Sequence, residues 1–353
     1  MRIPRLWFVL GAIFALAAVT GVLHFMHVND VVTFIVAAMA LGGLAWAIGV
    51  GTESVGSHFG PAVTGALQST LGNLPELFIV LFALSAGEVV VAQTSIIGSL
   101  FANALFVLGL AVVAGSYVSE DGVMRFQPRL PQDTTTLLML AVFIIVLLGL
   151  SDQLGDRASE HAVEISVIGS VLLLSVYGVW LWGYLRGGSG SEPAVENPPH
   201  AALSLKPALA VLALAATGAA LVSEWFVHAL APAIEEIGLS RAFTGLVIVA
   251  IAGNAVENVV GIQLAAKGQF DLAISVVKNS VAQIAVFLFP VLVLLSLLFE
   301  ENLTFVLNPV YIGALVIMAL AMWQITGDGQ AVAFEGWALV ALYLILAVLT
   351  FYE

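Results

Sequence analysis

The sequence reads as an all-α integral membrane protein of about eleven transmembrane helices, one N-terminal helix followed by two inverted five-helix repeats. Three observations carry that reading: composition, the recurrence of apolar runs, and a short motif that occurs twice. Of 353 residues, 61% are hydrophobic and 9% charged, and the mean hydropathy is +1.09. Soluble domains are about half apolar and a quarter charged. Apolar runs of about 20 residues recur along the whole chain, more than one soluble core can bury.

Windows of about 19 residues place the apolar segments at 6–25, 31–52, 61–86, 89–115, 134–150, 162–185, 207–229, 242–267, 271–299, 309–325 and 334–351. The first follows Arg2 and Arg5 and contains Ala17 and Ala18, features shared with secretory leaders. Its ~20 apolar residues exceed a normal leader core, so it reads as a retained helix within 1–30. Five segments follow in a first repeat, 31–186. At 187–199 (GGSGSEPAVENPP) glycine, serine, proline and glutamate replace the aliphatics, which marks a linker over 187–206. Five more segments fill a second repeat, 207–353. An odd number of crossings per repeat inverts the second relative to the first.

Basic residues set the orientation. One side collects Arg2, Arg5, Arg125, Arg129, Arg186, Lys206 and Lys267, and the other holds Arg157 and Arg241. The richer side, with the N-terminus, is expected in the cytoplasm and the C-terminus outside. The formal net charge of −13 and the lack of a basic cluster argue against nucleic acid. The chain has no cysteine, so disulfides, thiolate metal sites and cysteine nucleophiles are excluded. No cofactor is implied. His161 and Glu164, at i and i+3, raise an intramembrane hydrolase, but they adjoin the polar loop 151–160, and catalytic metal sites need more convergent ligands. The chain is therefore not expected to be an enzyme.

The repeated motif is Gly72-Asn73-Leu74-Pro75-Glu76, which returns 181 residues later as Gly253-Asn254-Ala255-Val256-Glu257. The same offset pairs Ser99-Leu100-Phe101-Ala102 with Ser280-Val281-Ala282-Gln283, and Phe106 with Phe287. Weak internal symmetry with Gly/Pro-interrupted helices at matching positions marks the binding site of secondary transporters. Glu76 and Glu257 each fall near mid-depth in their segments, where a carboxylate costs about 2.5–3.5 kcal/mol and faces a bundle interior or a water-filled cavity. An isolated carboxylate there takes up a proton, and a bound divalent cation displaces it. One pair of glutamates can then serve either cargo but not both, which is what couples an antiporter.

The neighbours suit a hard cation such as calcium, which takes about six to eight oxygen ligands. Asn73 and Asn254 stand one helical turn before the glutamates. Gly72, Pro75 and Gly253 loosen the helices and free backbone carbonyls. Ser99, Asn103, Ser280 and Gln283 are placed to add oxygens, although small and amide residues also serve as ordinary packing between membrane helices. A passive channel with the glutamates as a selectivity ring is a further reading of the same residues.

Assembled in order, these residues resemble the cation/calcium exchanger superfamily, most closely its calcium/proton exchanger branch, from about residue 31 to the C-terminus. The first block runs from Gly60-Pro61 through Gly65 and the Gly72–Glu76 motif to Gly98-Ser99-Leu100-Phe101-Ala102-Asn103. The second runs from Gly245 through the Gly253–Glu257 motif to Asn279-Ser280-Val281-Ala282-Gln283-Ile284-Ala285 and Pro290. A third, Asp328-Gly329, Glu335-Gly336 and Leu342-Tyr343, is similar to the family's last hairpin. The resemblance implies one plus ten helices, a central calcium site at the paired glutamates, and alternating access driven by protons, in a multi-pass cell membrane protein. The setting that fits is a bacterial or archaeal cytoplasmic membrane. An exchanger of the same fold coupled to sodium or another monovalent cation is the alternative, and the oligomeric state stays open. Glu53 matches a family glutamate that lines the ion entrance, or else is a solvated helix end. Two features depart from the family. The acidic helix that some members place between their halves is reduced to Glu192 and Glu196, and Lys278-Asn279 stands where small or apolar residues are usual. Lys278 is expected either to snorkel to the cytoplasmic surface or to reach Glu257 or Asp271 and act as a tethered cation that modulates the site.

Overall fold

A backbone that crosses hydrocarbon must satisfy every N–H and C=O within itself, and the apolar runs do so as helices. The structure, a computed structural model, describes residues 3–59, 67, 71–127, 129–186 and 203–353, with the side chains of 3, 4, 129–131, 184–186 and 255–258 also outside the description. The helices are α1 Ile3–Phe25, α2 Asp30–Gly56, α3 Leu74–Ser85, α4 Val89–Val118, α5 Arg129–Leu154, α6 Ala162–Arg186 and α7 Leu205–Ile237. They continue with α8 Arg241–Gly253, α9 Ala255–Ala266, α10 Phe270–Ser296, α11 Pro309–Thr326 and α12 Ala333–Phe351. Among the described residues nine helices are long and apolar enough to cross a membrane; α3, α8 and α9 are shorter.

Local chemistry sets several ends. Asn29 caps α2 by accepting from Val32 N, and Asn308 caps α11 by accepting from Val310 N. Gly238, at φ 77°, closes α7 in the left-handed conformation that glycine adopts without strain. The expected linker 187–206 lies outside the described residues up to 202, and α7 already begins at Leu205. It also runs on to Ile237, past the expected limit of 229, because its last turns keep Leu230, Ala233 and Ile234 buried while Glu235 and Glu236 face out. Gly60 and, of the expected segment 61–86, residues 61–66 and 68–70, including Pro61 and Gly65, are outside the description. The expected segment 242–267 is not one helix: it breaks at Asn254 into α8 and α9.

Burial orders the bundle. In α4, 89% of the apolar window is buried and in α10 67%, against 28% in α1, α6 and α7, so α4 and α10 form the centre and the others face lipid. The most extensive helix contact joins α2 to α7, where Phe34 stacks on Phe226 at 4.8 Å. Glycines let backbones touch across the bundle. A Cβ at Gly109 of α4 would lie 2.6 Å from Gly336 O of α12, and one at Gly98 of α4 would lie 2.5 Å from Leu246 Cα of α8. A two-stranded antiparallel ribbon, β1 Val123–Arg125 with β2 Gln330–Val332, ties the loop after α4 to the start of α12, with Val123 opposite Val332. Beside it Arg125 pairs with Asp121, whose carboxyl is thereby held below its ordinary range.

Two irregularities recur at the motif offset. Asn73 (φ −91°, ψ 14°) precedes α3 and Asn254 (φ −101°, ψ 18°) precedes α9, in nearly the same non-helical conformation. Both α4 and α10 contain a π-helical turn, at Ala102–Val107 and Ile284–Leu288, and α8 contains another at Thr244–Val249.

Candidate cation-binding site

Glu76 lies in the first turn of α3, where Pro75 costs no helical hydrogen bond and the free N–H groups give the helix end a partial positive charge. Its side chain is 5% exposed. Ser99 Oγ of α4 and Asn254 Nδ2, from the break between α8 and α9, both donate to Oε1. Asn254 Nδ2 also lies 2.8 Å from Ser99 Oγ and 3.0 Å from Ala250 O. Asn103 Nδ2 donates to Asn254 Oδ1 and to Ser99 O, both at 3.0 Å. Ser99, Asn103 and Asn254 are buried, so these bonds form out of water, where each is electrostatically stronger. Gly253 makes the room: a Cβ there would stand 2.7 Å from Glu76 Cγ. A narrow void beside the carboxyl is lined by Ser95, Ile96, Ser99, Val249 and Leu288.

The remaining candidates fall into three groups. Asn73 is buried one turn before Glu76 and, among the described residues, makes none of the bonds its counterpart Asn254 makes. Ser280 Oγ and Asn103 Oδ1 are buried oxygens without a hydrogen-bond partner among the described residues, and Gln283 is half-buried on the same helix as Ser280. Idle acceptors in a membrane interior suit a cation, since a buried polar group otherwise costs free energy. The backbone sets Glu257 third in α9, as Glu76 is third in α3, and its side chain lies outside the described residues. Gly72 sits at the break before α3, and Glu53 is exposed near the end of α2.

Lys278 departs from the expected surface position, while its expected reach to Glu257 falls on a side chain outside the described residues. It is 1% exposed rather than at the surface, and its Nζ donates to Thr135 Oγ1 of α5 at 2.7 Å and to Thr326 Oγ1 of α11 at 2.6 Å. Asp271 accepts instead from the Gln127 backbone N–H. The amine stops short of the surface because the hydroxyls of two neighbouring helices meet it first. Nothing in the local sequence around Thr135 or Thr326 signalled that role, because the partners are separated by 143 and 48 residues. His161 and Glu164 face each other at 3.8 Å, both 67% exposed, and among the described residues no group of three metal-ligating side chains converges.

With that geometry in view, residues 29–185 and 207–352 match the sodium/calcium exchanger protein family. The chain belongs to that family. Among curated relatives, this exchanger-family chain is 32% identical over 352 residues to the Ca(2+)/H(+) antiporter ChaA of Bacillus subtilis, covering 98% of each chain. It is 31% identical over 350 residues to a Ca(2+)/H(+) antiporter of Synechocystis, covering 94% of this chain and 93% of the relative. Among solved structures, native YfkE superposes with a TM-score of 0.81 at 30% identity, covering 97% of this chain and all of that one. The H+/Ca2+ exchanger CAX superposes at 0.78 with 14% identity, which speaks to the fold alone. The expected calcium/proton exchanger branch is where these relatives lie.

Proposed function

We propose that this chain is a secondary active antiporter that exchanges calcium for protons by alternating access. The observation that carries the reading is the Glu76 carboxylate, buried at a helix break and gripped by Asn254 from the other half of the chain. A site shared between halves is one that their relative motion can expose to either side in turn. The names of the relatives supply the cargo, and the chemistry agrees with it. Glu76 and Glu257 provide charge, while Asn73, Asn254, Ser99, Asn103, Ser280 and Gln283 provide neutral oxygens, a set suited to calcium. The reading includes eleven crossings, with α3 and α8–α9 belonging to interrupted ones, divided as 1–30, 31–186, a linker 187–206 and 207–353. The matched breaks at Asn73 and Asn254 and the matched π-helical turns of α4 and α10 support two related halves. The N-terminus faces the cytoplasm and the C-terminus the outside, by the basic-residue bias.

In this mechanism calcium arriving at the central site displaces the carboxylate protons, the halves rock, and protons entering from the opposite side displace calcium. The test is calcium flux in proteoliposomes under an imposed pH gradient, with sodium and potassium gradients as controls. Proton-driven calcium uptake in the wild type, lost in Glu76→Gln and in Glu257→Gln while both remain folded, is expected, because an amide keeps the size but exchanges no proton. Uptake driven by sodium alone, or wild-type rates in either variant, would overturn the reading.

A further inference from the structure

Lys278 is among the largest fully buried side chains of the protein, and none of the hydrogen bonds described around Glu76 involves it. Its surroundings are unusual for an amine. The two hydroxyls that hold it, Thr135 and Thr326, come from different helices, and Thr326 Oγ1 passes its own hydrogen to Met322 O at 2.6 Å, so its lone pairs face Nζ. Thr326 is the last residue of α11, a helix with no basic residue in its final turn. The unpaired carbonyls of a helix C-terminus carry a partial negative charge and attract a cation. Lys278 supplies one from α10. Among the described residues the ion pairs are Arg125–Asp121, His161–Glu164 and Arg241–Glu88, and none involves Lys278. Among the described residues the amine is therefore held by neutral hydroxyl oxygens beside a helix end, without a paired carboxylate. That is a donor set for a single positive charge, whereas divalent cations in proteins gather carboxylates.

The position does not demand a lysine for packing. The residue at the motif offset in the first half, Ile97 of α4, is also fully buried and apolar. We propose that the Lys278 ammonium is a built-in monovalent cation. It fills a hydroxyl-lined position between α5, α10 and α11 that a soluble alkali or small ammonium ion would otherwise have to occupy. It locks α10, which carries Ser280 and Gln283, against α5 and α11, and so makes calcium binding independent of sodium and potassium. Lys278 is thus a positioning residue for the cation site, and the inference rests on the calcium-binding reading above.

The experiment uses Lys278→Ala, which deletes the atoms of one propylammonium ion, and Lys278→Met, which refills the space without the charge. Calcium affinity is measured by titration calorimetry in detergent, in choline, sodium, potassium or propylammonium chloride; no pH gradient is involved, so the amine can be used. Wild-type affinity is expected to be the same in all four salts. Lys278→Ala is expected to bind calcium about tenfold more weakly in choline and to recover in sodium, potassium or propylammonium, while Lys278→Met stays weak in every salt. Unchanged affinity of Lys278→Ala in choline, weak binding by folded Lys278→Ala that no cation restores, or wild-type behaviour of Lys278→Met would each overturn the proposal. Thermal unfolding of Lys278→Ala in propylammonium against choline provides a readout that needs no calcium: a filled position raises the midpoint, and an unchanged midpoint counts against the proposal. If the wild type binds no calcium in any salt, the functional reading fails, and the unfolding comparison still decides the cation position.

Discussion

Glu76 Oε1 receives two donors at once, one from α4 and one from the break between α8 and α9. The cost of placing a carboxylate at this depth is offset by those donors and by the positive end of α3. The fit depends on the neighbouring Gly253, whose missing side chain leaves the space that Glu76 Cγ occupies. In Gly253→Ala the new methyl group would sit 2.7 Å from Cγ, and the carboxylate must swing away from Ser99 and Asn254. Calcium affinity, measured in detergent, is expected to fall about tenfold in a protein that still purifies as a monodisperse species. An affinity equal to wild type would mean that the grip on Oε1 does not hold the ligand geometry. The residues of this grip were readable as candidates because a buried acid is expensive and because the motif occurs twice. Their pairing was not, since Asn254 serves the glutamate of the other half, 178 residues away. Lys278 shows the same limit: burial was foreseeable only as one of several fates, and its hydroxyl partners are set by how three helices meet.

At the scale of elements, the apolar runs predict helices well because each run must bury its backbone in itself. Hydropathy alone does not see where such a helix breaks. The chain at 242–267 reads by hydropathy as one segment, yet Asn254 divides it, and the π-helical turns in α4, α8 and α10 carry no compositional mark at all. The glycine-mediated contacts are likewise invisible before packing is known. Gly98 is the sharpest case, since a Cβ there meets the backbone of Leu246, including its carbonyl oxygen, and backbone cannot yield cheaply. Gly98→Ala should push α4 from α8 and cost about 1–3 kcal/mol or more, as overpacking does in other tight interiors. Gly178→Ala in α6, where nothing lies within 4 Å, is the matched control and should be neutral or stabilising by up to about 1 kcal/mol through helix propensity. Thermal unfolding of both variants in the same detergent tests the pair; equal midpoints would contradict the close approach of α4 and α8.

At the scale of the whole molecule, coupling follows if calcium and protons contend for the same carboxylates. Coupling of this kind has a thermodynamic signature that does not depend on rates. Each proton released when calcium binds adds one unit to the steepness with which log Kd falls as pH rises, because lowering the pH supplies the competitor. Two carboxylates, Glu76 and Glu257, bound that slope at about two. The sign is fixed: the dissociation constant rises as pH falls and levels off once both groups are already unprotonated before calcium arrives. The expected result in purified protein is therefore a calcium affinity that weakens steadily from pH 8 to pH 5, by about tenfold per unit or more where protons are displaced. Calorimetry in buffers of different ionisation enthalpy should report the same number of protons released per calcium. In Glu76→Gln the slope should drop by about one where binding is still measurable, because one competing site has been removed. A dissociation constant flat between pH 5 and 8, with no protons released on calcium binding, would separate the two cargoes and leave the shared site without its coupling role.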